Sequence, residues 1–311
     1  MPIPTNLITG FLGVGKTTAV IDLLKRKAPG SRWAVLVNEY GEVTIDGALI
    51  EGESPDGVSI REVGGGCICC ASAPYLQVAL HFLLIDAKPE RLLIETTGLG
   101  HPAKLLEQLR TNYRDRLDLR ATLCLVDPAD FARPEMRDNR VFLDQIHIAD
   151  VLVMNKLDTA TPELVAEFQT WANELYPPKE LIVGTTQGRI DPAWLDLASG
   201  GRQPPVSSTE VFELRNQQGA DAPRSPFARG WIFPPEIVFD EERLLAFLGT
   251  APHVTRLKGV FHTDHDWLAV QRTFLGFTVA PTSYRRDSRI EVFADTQEWE
   301  SLERGLNSCI R

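Results

Sequence analysis

Residues 10–18 read GFLGVGKTT, a spaced set of glycines running into a lysine and two threonines. Gly10, Gly13 and Gly15 let the backbone curl around an anion, so that N–H groups of this stretch, Val14 and Thr18 included, face a polyphosphate at a helix start. Lys16 is placed to reach the β- and γ-phosphates, and the Thr17 hydroxyl to ligate Mg²⁺. LLIETTG, residues 92–98, ends an apolar run on Glu95, an acidic group suited to ordering water around that Mg²⁺, with Gly98 offering its N–H to the γ-phosphate. VNEYGEVTIDG, residues 37–47, reads as a second nucleotide-sensing loop in which Asp46 is the candidate for the metal or the attacking water. Lys16, Asp46 and Glu95 are therefore the catalytic candidates. No arginine stands out as a charge-neutralising finger, so slow intrinsic hydrolysis is expected.

MNKLD, residues 154–158, sets the base. Asp158 can accept from the two donors of guanine, N1 and N2, which adenine lacks, so an adenine would leave a carboxylate unpaired. Asn155 can hold the base edge and a neighbouring loop, and the Lys156 stem can cover a ring face. GTTQG at 184–188, with Thr185, follows the next strand and could offer backbone N–H to guanine O6. GTP is the expected nucleotide.

The third cluster is GGGCICC, residues 64–70. Cys67, Cys69 and Cys70 fall within four positions behind three glycines, an odd frame for a packed core. A following helix start would favour thiolates, and soft thiolates suit Zn²⁺ or Cu(I). Zinc takes four ligands, and Glu39 is the first carboxylate candidate to complete the set. Three cysteines at most leave the fourth place to a carboxylate, a histidine, water or a client ligand, and because Cys70 adjoins Cys69, Cys67 and Cys69 are the safer pair. A thiol–disulfide sensor on a nucleotide-binding scaffold would use the same cysteines, and a small-molecule kinase would use the same phosphate loop. Cys124, inside an apolar strand, reads as a core residue, and Cys309 near the C-terminal end has no evident partner. His262 and His265 have metal-like spacing but sit in an expected hairpin, where a structural or solvated role is preferred.

These side chains need a scaffold that gathers them. Short apolar runs at 7–9, 33–37, 58–63, 91–95, 121–127, 150–155 and 180–185 alternate with helical patterns, and many are rich in β-branched residues. Such alternation predicts an α/β fold with a doubly wound, mostly parallel sheet, whose strands' C-terminal ends collect ligands. Residues 201–228, rich in Gly, Pro and Ser around a short strand TEVFEL, read as a linker region. Beyond it one strand, GWIFPPEIVF at 230–239, a helix opened by Asp240, further strands and a closing helix predict a smaller α+β domain over 229–311, after a nucleotide domain over 1–200.

Composition sets the surroundings. A formal charge of −10 argues against a nucleic-acid partner, whose phosphates need a basic surface. No apolar run approaches the ~20 residues of a membrane span, and no basic, cleavable leader is visible at the start, so a cytoplasmic protein with no membrane partner is expected. Thiols stay reduced there, and a cysteine cluster then points to metal or redox chemistry rather than a structural disulfide.

Together ITGFLGVGKTT, VNEYGEVTIDG, GGGCICC, LLIETTGLG, IADVLVMNKLD and the later VTRLKGVF resemble the CobW-type metallochaperone GTPases, P-loop proteins of the SIMIBI class. The resemblance spans both expected domains in the family's order. It implies GTP hydrolysis coupled to binding a transition metal, zinc or another such as cobalt, at the C-x-C-C motif, and its delivery to a metalloprotein client. Two features depart from the family pattern. Ala73 and Tyr75 stand where an arginine and an acidic residue often follow the cysteines, and no histidine-rich tract is present among the six histidines.

Overall fold

The computed structural model describes residues 2–38, 50, 55–63, 73–98, 102–200, 227–273, 276–282 and 284–311. Two compact units emerge, one built from the described residues of 2–38 and 55–200, the other from Ile50 and the described residues of 227–311. In the first, the chain runs β1 (Ile3–Gly10), α1 (Lys16–Lys25), β2 (Trp33–Asn38), β3 (Val58–Val63), α2 (Ala73–Phe82, extended by a π-helical turn at Leu83–Ala87), β4 (Arg91–Glu95) and α3 (Pro102–Asn112). It continues through β5 (Leu117–Leu119), β6 (Leu123–Val126), α4 (Pro128–Phe131), α5 (Pro134–Arg137), α6 (Arg140–Ile148), β7 (Val151–Met154), α7 (Pro162–Asn173) and β8 (Leu181–Gly184).

The strands form one sheet in the order β3-β2-β4-β1-β6-β7-β8, with β5 beside β1, and every pairing is parallel. Helices cover it, which is why the strands read as continuous apolar runs rather than alternating ones. Leu7, Leu36, Leu92 and Ile94 pack with Leu76 and Leu80 of α2 and Leu105 and Leu109 of α3. Cys124, Val126, Leu152 and Met154 pack with Phe142 and Ile146 of α6 and Phe168 and Ala172 of α7. Local signals start the helices: Asn139 and Thr161 cap α6 and α7 by accepting from Phe142 and Leu164, and Pro162 occupies the first position of α7. β1 has β4 on one side and β6 on the other, so the winding reverses at its end. The chain leaves the sheet there into the glycine-rich loop, at the kind of crevice where α/β sheets hold ligands.

The second unit holds β9 (Phe227–Phe233), α8 (Glu241–Thr250), β10 (Val254–His262), β11 (Trp267–Thr273), β12 (Gly276–Pro281), β13 (Ser288–Ala294) and α9 (Trp299–Ser308). Its sheet is antiparallel in the order β12-β11-β10-β13-β9. Leu244 and Leu248 of α8 and Leu302 and Leu306 of α9 pack on Leu257, Phe261, Ile290 and Val292. Asp240 caps α8 as its sequence suggests, accepting from the Arg243 N–H at 3.0 Å. β12 was not legible: this edge strand is largely exposed, so no buried alternation marks it. The strand expected over 230–239 stops at Phe233, where Pro234 and Pro235 remove two ladder donors. Residues 201–226 of the expected linker, TEVFEL among them, lie outside the described residues, and Phe227 and Ala228 already belong to β9. Among the described residues no helix is long and apolar enough to cross a membrane.

Cys124 is a core residue, 1 % exposed, and burial pushes its thiol up to about 12. Cys309 corrects its reading: it is buried in the second unit's core, its Sγ donating to the Gly305 carbonyl at 3.2 Å, and burial raises its thiol as well. Neither should react with iodoacetamide in the folded chain at pH 8, since the thiolate is the nucleophile. Mass spectrometry of briefly alkylated, chelator-treated protein is expected to find label on Cys67, Cys69 and Cys70 and none on Cys124 or Cys309; rapid labelling of Cys124 would contradict its placement.

Candidate nucleotide site

Gly15 has φ 96°, a left-handed conformation, and directly precedes α1. A Cβ there would stand 2.6 Å from the Asn155 Nδ2, so the position requires glycine for both its conformation and its neighbour. Gly10 and Gly13 also take positive φ, and Val14 is fully buried beneath the loop. Lys16 is 8 % exposed, and its Nζ donates to the Phe11 carbonyl at 3.0 Å, back across the loop. Thr18 follows Thr17 in the first turn of α1.

Thr17 Oγ1 donates to Glu95 Oε1 at 2.8 Å, joining the start of α1 to the end of β4 across 78 residues. Glu95 is 1 % exposed and is held in register by Ile8 of β1 and Val37 of β2. A carboxylate and a hydroxyl this close are hard oxygen donors of the type Mg²⁺ takes. Three residues on, Gly98 presses against the loop: a Cβ on it would lie 2.9 Å from the Leu12 backbone nitrogen. Its carbonyl accepts from Gln145 Nε2 of α6 at 3.2 Å.

Asn155 ties three segments together. It is 2 % exposed, its Nδ2 donates to the Val14 carbonyl at 2.8 Å, and its Oδ1 accepts from the Gly188 N–H at 2.9 Å. Both ends of the amide are thus engaged by backbone, joining the glycine-rich loop to the 184–188 loop. Thr185 is fastened by its own N–H to the Met154 carbonyl at 2.7 Å and by its Oγ1 to the Arg189 carbonyl at 2.6 Å. Lys156 takes φ 60°, and its Nζ lies 3.0 Å from Asp127 Oδ2. Asp158 is exposed beyond it.

The described candidates therefore gather at one edge of the sheet: Gly10, Gly13, Val14, Gly15, Lys16, Thr17 and Thr18, with Glu95 and Gly98, and Asn155, Lys156, Asp158 and Thr185. Glu39, Asp46, Cys67, Cys69 and Cys70 lie outside the described residues. The chain enters two of those stretches side by side, since Asn38 ends β2 opposite Val63, which ends β3. Asp127 and Gln145 were missed by sequence reasoning, and Gly188, read as part of the GTTQG loop, spends its N–H on Asn155. Asp127 stands in VDP at a strand end, a helix-capping signal that was open to reading; Gln145 carries no local signal.

Asp130 lies deeper, 1 % exposed, with its Oδ1 2.6 Å from Arg133 Nη2. Burial and the neighbouring Asp127 push its carboxyl up to about 6, against the pull of Arg133 and Lys156. A carboxyl raised in the folded state contributes stability that is full below its ordinary range near pH 4 and lost as pH rises through about 6. Asp130→Asn should abolish that slope. Urea melts at pH 4.5 and 7.5 are expected to show the wild type losing on the order of 2 kcal/mol relative to the variant between the two conditions; parallel behaviour would refute a raised carboxyl.

Among the described residues, one group of three has metal-ligand atoms close together: Glu241, Asp264 and His265, within 4.8 Å of one another. Asp264 Oδ1 accepts from the Glu241 N–H, its Oδ2 meets Arg311 at 3.2 Å, and Glu241 Oε2 accepts from Thr263 Oγ1. His265 is 76 % exposed, and this is a helix-capping cluster in form. His262 stacks on Trp267 at 4.6 Å, in the hairpin expected for it.

The family model for the CobW/HypB/UreG nucleotide-binding domain matches residues 4–183, and that for the cobalamin synthesis protein CobW C-terminal domain matches residues 228–310. Over 97 % of its length the chain is 38 % identical to the zinc chaperone YeiR of Escherichia coli K12, covering 96 % of that protein. It is 25 % identical to the zinc chaperone CobW of a Sinorhizobium species, over 90 % of this chain and 82 % of the relative. Among solved structures, the Zn(II)-bound YjiA GTPase from E. coli aligns over the whole of both chains at 20 % identity with a TM-score of 0.48.

Proposed function

This chain belongs to the CobW family, and we propose that within it the protein is a GTP-hydrolysing metallochaperone that carries a transition metal, zinc first among them, to a metalloprotein client. The observation that carries the nucleotide half is the joining, by side chains, of the glycine-rich loop and the start of α1 to the ends of β4 and β7: Thr17 to Glu95, and Asn155 to Val14 and Gly188. Lys16 would leave the Phe11 carbonyl for the β- and γ-phosphates, and the N–H groups at the start of α1 would take the anion. Thr17 and Glu95 are the residues that would hold Mg²⁺, and the ion would neutralise charge on the phosphate oxygens. Asp46 is kept as the candidate for the attacking water, and Gly98 for the γ-phosphate. Asp158, exposed at the rim, is free to meet guanine N1 and N2.

The metal half rests on the motif and on its point of departure. Glu39 follows Asn38, the last residue of β2, and GGGCICC follows Val63, the last residue of β3, and those two strand ends are paired neighbours in the sheet. Cys67, Cys69 and Cys70 with Glu39 would make a soft, three-sulfur, one-oxygen set acceptable to zinc. The closely similar YeiR is named a zinc chaperone, which supports zinc as the cargo. We take residues 1–200 as the nucleotide domain, 201–226 as a linker and the unit that opens with β9 at Phe227 as the one offered to the client, in a protein of the cytoplasm.

Phosphate release is the direct test of the nucleotide half. Purified protein with Mg²⁺ is expected to release phosphate slowly from GTP, with no added acceptor, and at least tenfold more slowly from ATP. Phosphoryl transfer to an added small molecule without free phosphate would replace this reading with a kinase.

A further inference from the structure

The proposed guanine site leaves one charge unexplained. Lys156 is expected to lay its stem over a flat ring, and its ammonium then needs a fixed place to go. Val126 pairs with Met154 at the ends of β6 and β7, and the Asn155 N–H donates to the Val126 carbonyl at 2.8 Å. Asp127, one residue past the end of β6, and Lys156, two past the end of β7, are thereby brought side by side. Asp127's side chain is 3 % exposed; Oδ1 accepts from the Ala129 N–H at 2.9 Å as the cap of α4, and Oδ2 lies 3.0 Å from Lys156 Nζ. Arg133 takes the neighbouring Asp130. The Lys156 backbone is locked as well, with φ 60° and its carbonyl accepting from the Thr159 and Ala160 N–H groups.

We propose that Asp127 is a positioning residue for base recognition, a buried anchor that holds the Lys156 side chain as a preformed shelf for the guanine ring. This rests on the guanine-nucleotide reading above and adds a residue to it. A lysine stem left loose must be ordered when a base stacks on it, whereas one fastened at its head has already lost that freedom before the nucleotide arrives. The anchored shelf also fixes the plane at which the base edge meets Asp158, so the anchor should bear on the choice of base as well as on affinity.

The test compares Asp127→Asn, Lys156→Met and the double variant. Asparagine keeps the acceptor for Ala129 and the shape while removing the charge; methionine, at a partly exposed position, keeps most of the stem and loses only the head. Affinities for GDP and ADP come from competition with a fluorescent nucleotide, and melting temperatures are read on the same samples. Each single variant is expected to weaken GDP about tenfold while ADP changes less than threefold, and the double variant to be no weaker than the weaker single, the signature of one shared interaction. An Asp127→Asn chain with wild-type GDP affinity and wild-type preference over ADP would overturn the anchor, as would single losses that add in the double variant. A wild-type chain that binds GDP and ADP alike would instead remove the guanine reading, and the anchor with it.

Discussion

Glu95→Gln is expected to slow phosphate release from GTP by about two to three orders of magnitude, the scale on which one preorganised electrostatic contact acts in a water-excluded site. Glutamine retains an oxygen that can accept the Thr17 hydroxyl bond, now 2.8 Å long, so the link between α1 and β4 should survive and the fold with it. What is lost is the negative charge at a position 1 % exposed, where a divalent ion would otherwise be balanced. The signature is a split: GDP affinity measured without Mg²⁺ should be nearly unchanged, while the Mg²⁺-dependent rate collapses. Hydrolysis at the wild-type rate would show that Glu95 is only a buried hydrogen-bond acceptor. Mg²⁺-free nucleotide binding lost together with activity would point to a structural role instead.

The Cys67→Ser, Cys69→Ser double variant should lose zinc by about four orders of magnitude or more. A complete zinc set of this kind is worth roughly 10–16 kcal/mol, and removing two of four ligands removes a large share of it; about 5.5 kcal/mol already corresponds to four decades. Serine preserves size and polarity but is a poor zinc ligand at neutral pH. GDP binding should persist, because the contacts that hold the glycine-rich loop in shape run through Asn155, Thr17 and Glu95. Retained tight zinc in the double variant would move the metal elsewhere, and concerted loss of zinc and GDP would mean the cysteine segment shapes the nucleotide site.

Much of this arrangement was legible because its chemistry is local. The glycine-rich loop announces itself through residue types that only a positive-φ, anion-facing turn requires, and Gly15 fits that demand. The parallel sheet was readable from apolar runs too short for helices, and Asp240 was readable as the cap of α8. Non-local pairings were not legible. That Asn155 would turn both amide ends to the backbone, or that Gln145 would reach the Gly98 carbonyl across 47 residues, depends on register and helix packing that no short window encodes. The partner of Lys156 was hidden in the same way, since Asp127 is 29 positions earlier and reads locally as a cap. β12 and the burial of Cys309 escaped for a different reason: an exposed edge strand and a last-turn cysteine carry almost no pattern.

If zinc and guanine nucleotide are coupled, the coupling is reciprocal: a nucleotide that tightens zinc must itself be tightened by zinc to the same degree. The most direct measurement is a zinc competition titration on the reduced protein, against a chromophoric chelator, run without nucleotide, with GDP and with a non-hydrolysable GTP analogue. The expected result is tight, one-to-one zinc binding whose affinity shifts at least fivefold between the GDP and GTP-analogue states. Zinc too weak to compete with the chelator in every state, or equally tight in all three, would contradict a nucleotide-gated metal carrier.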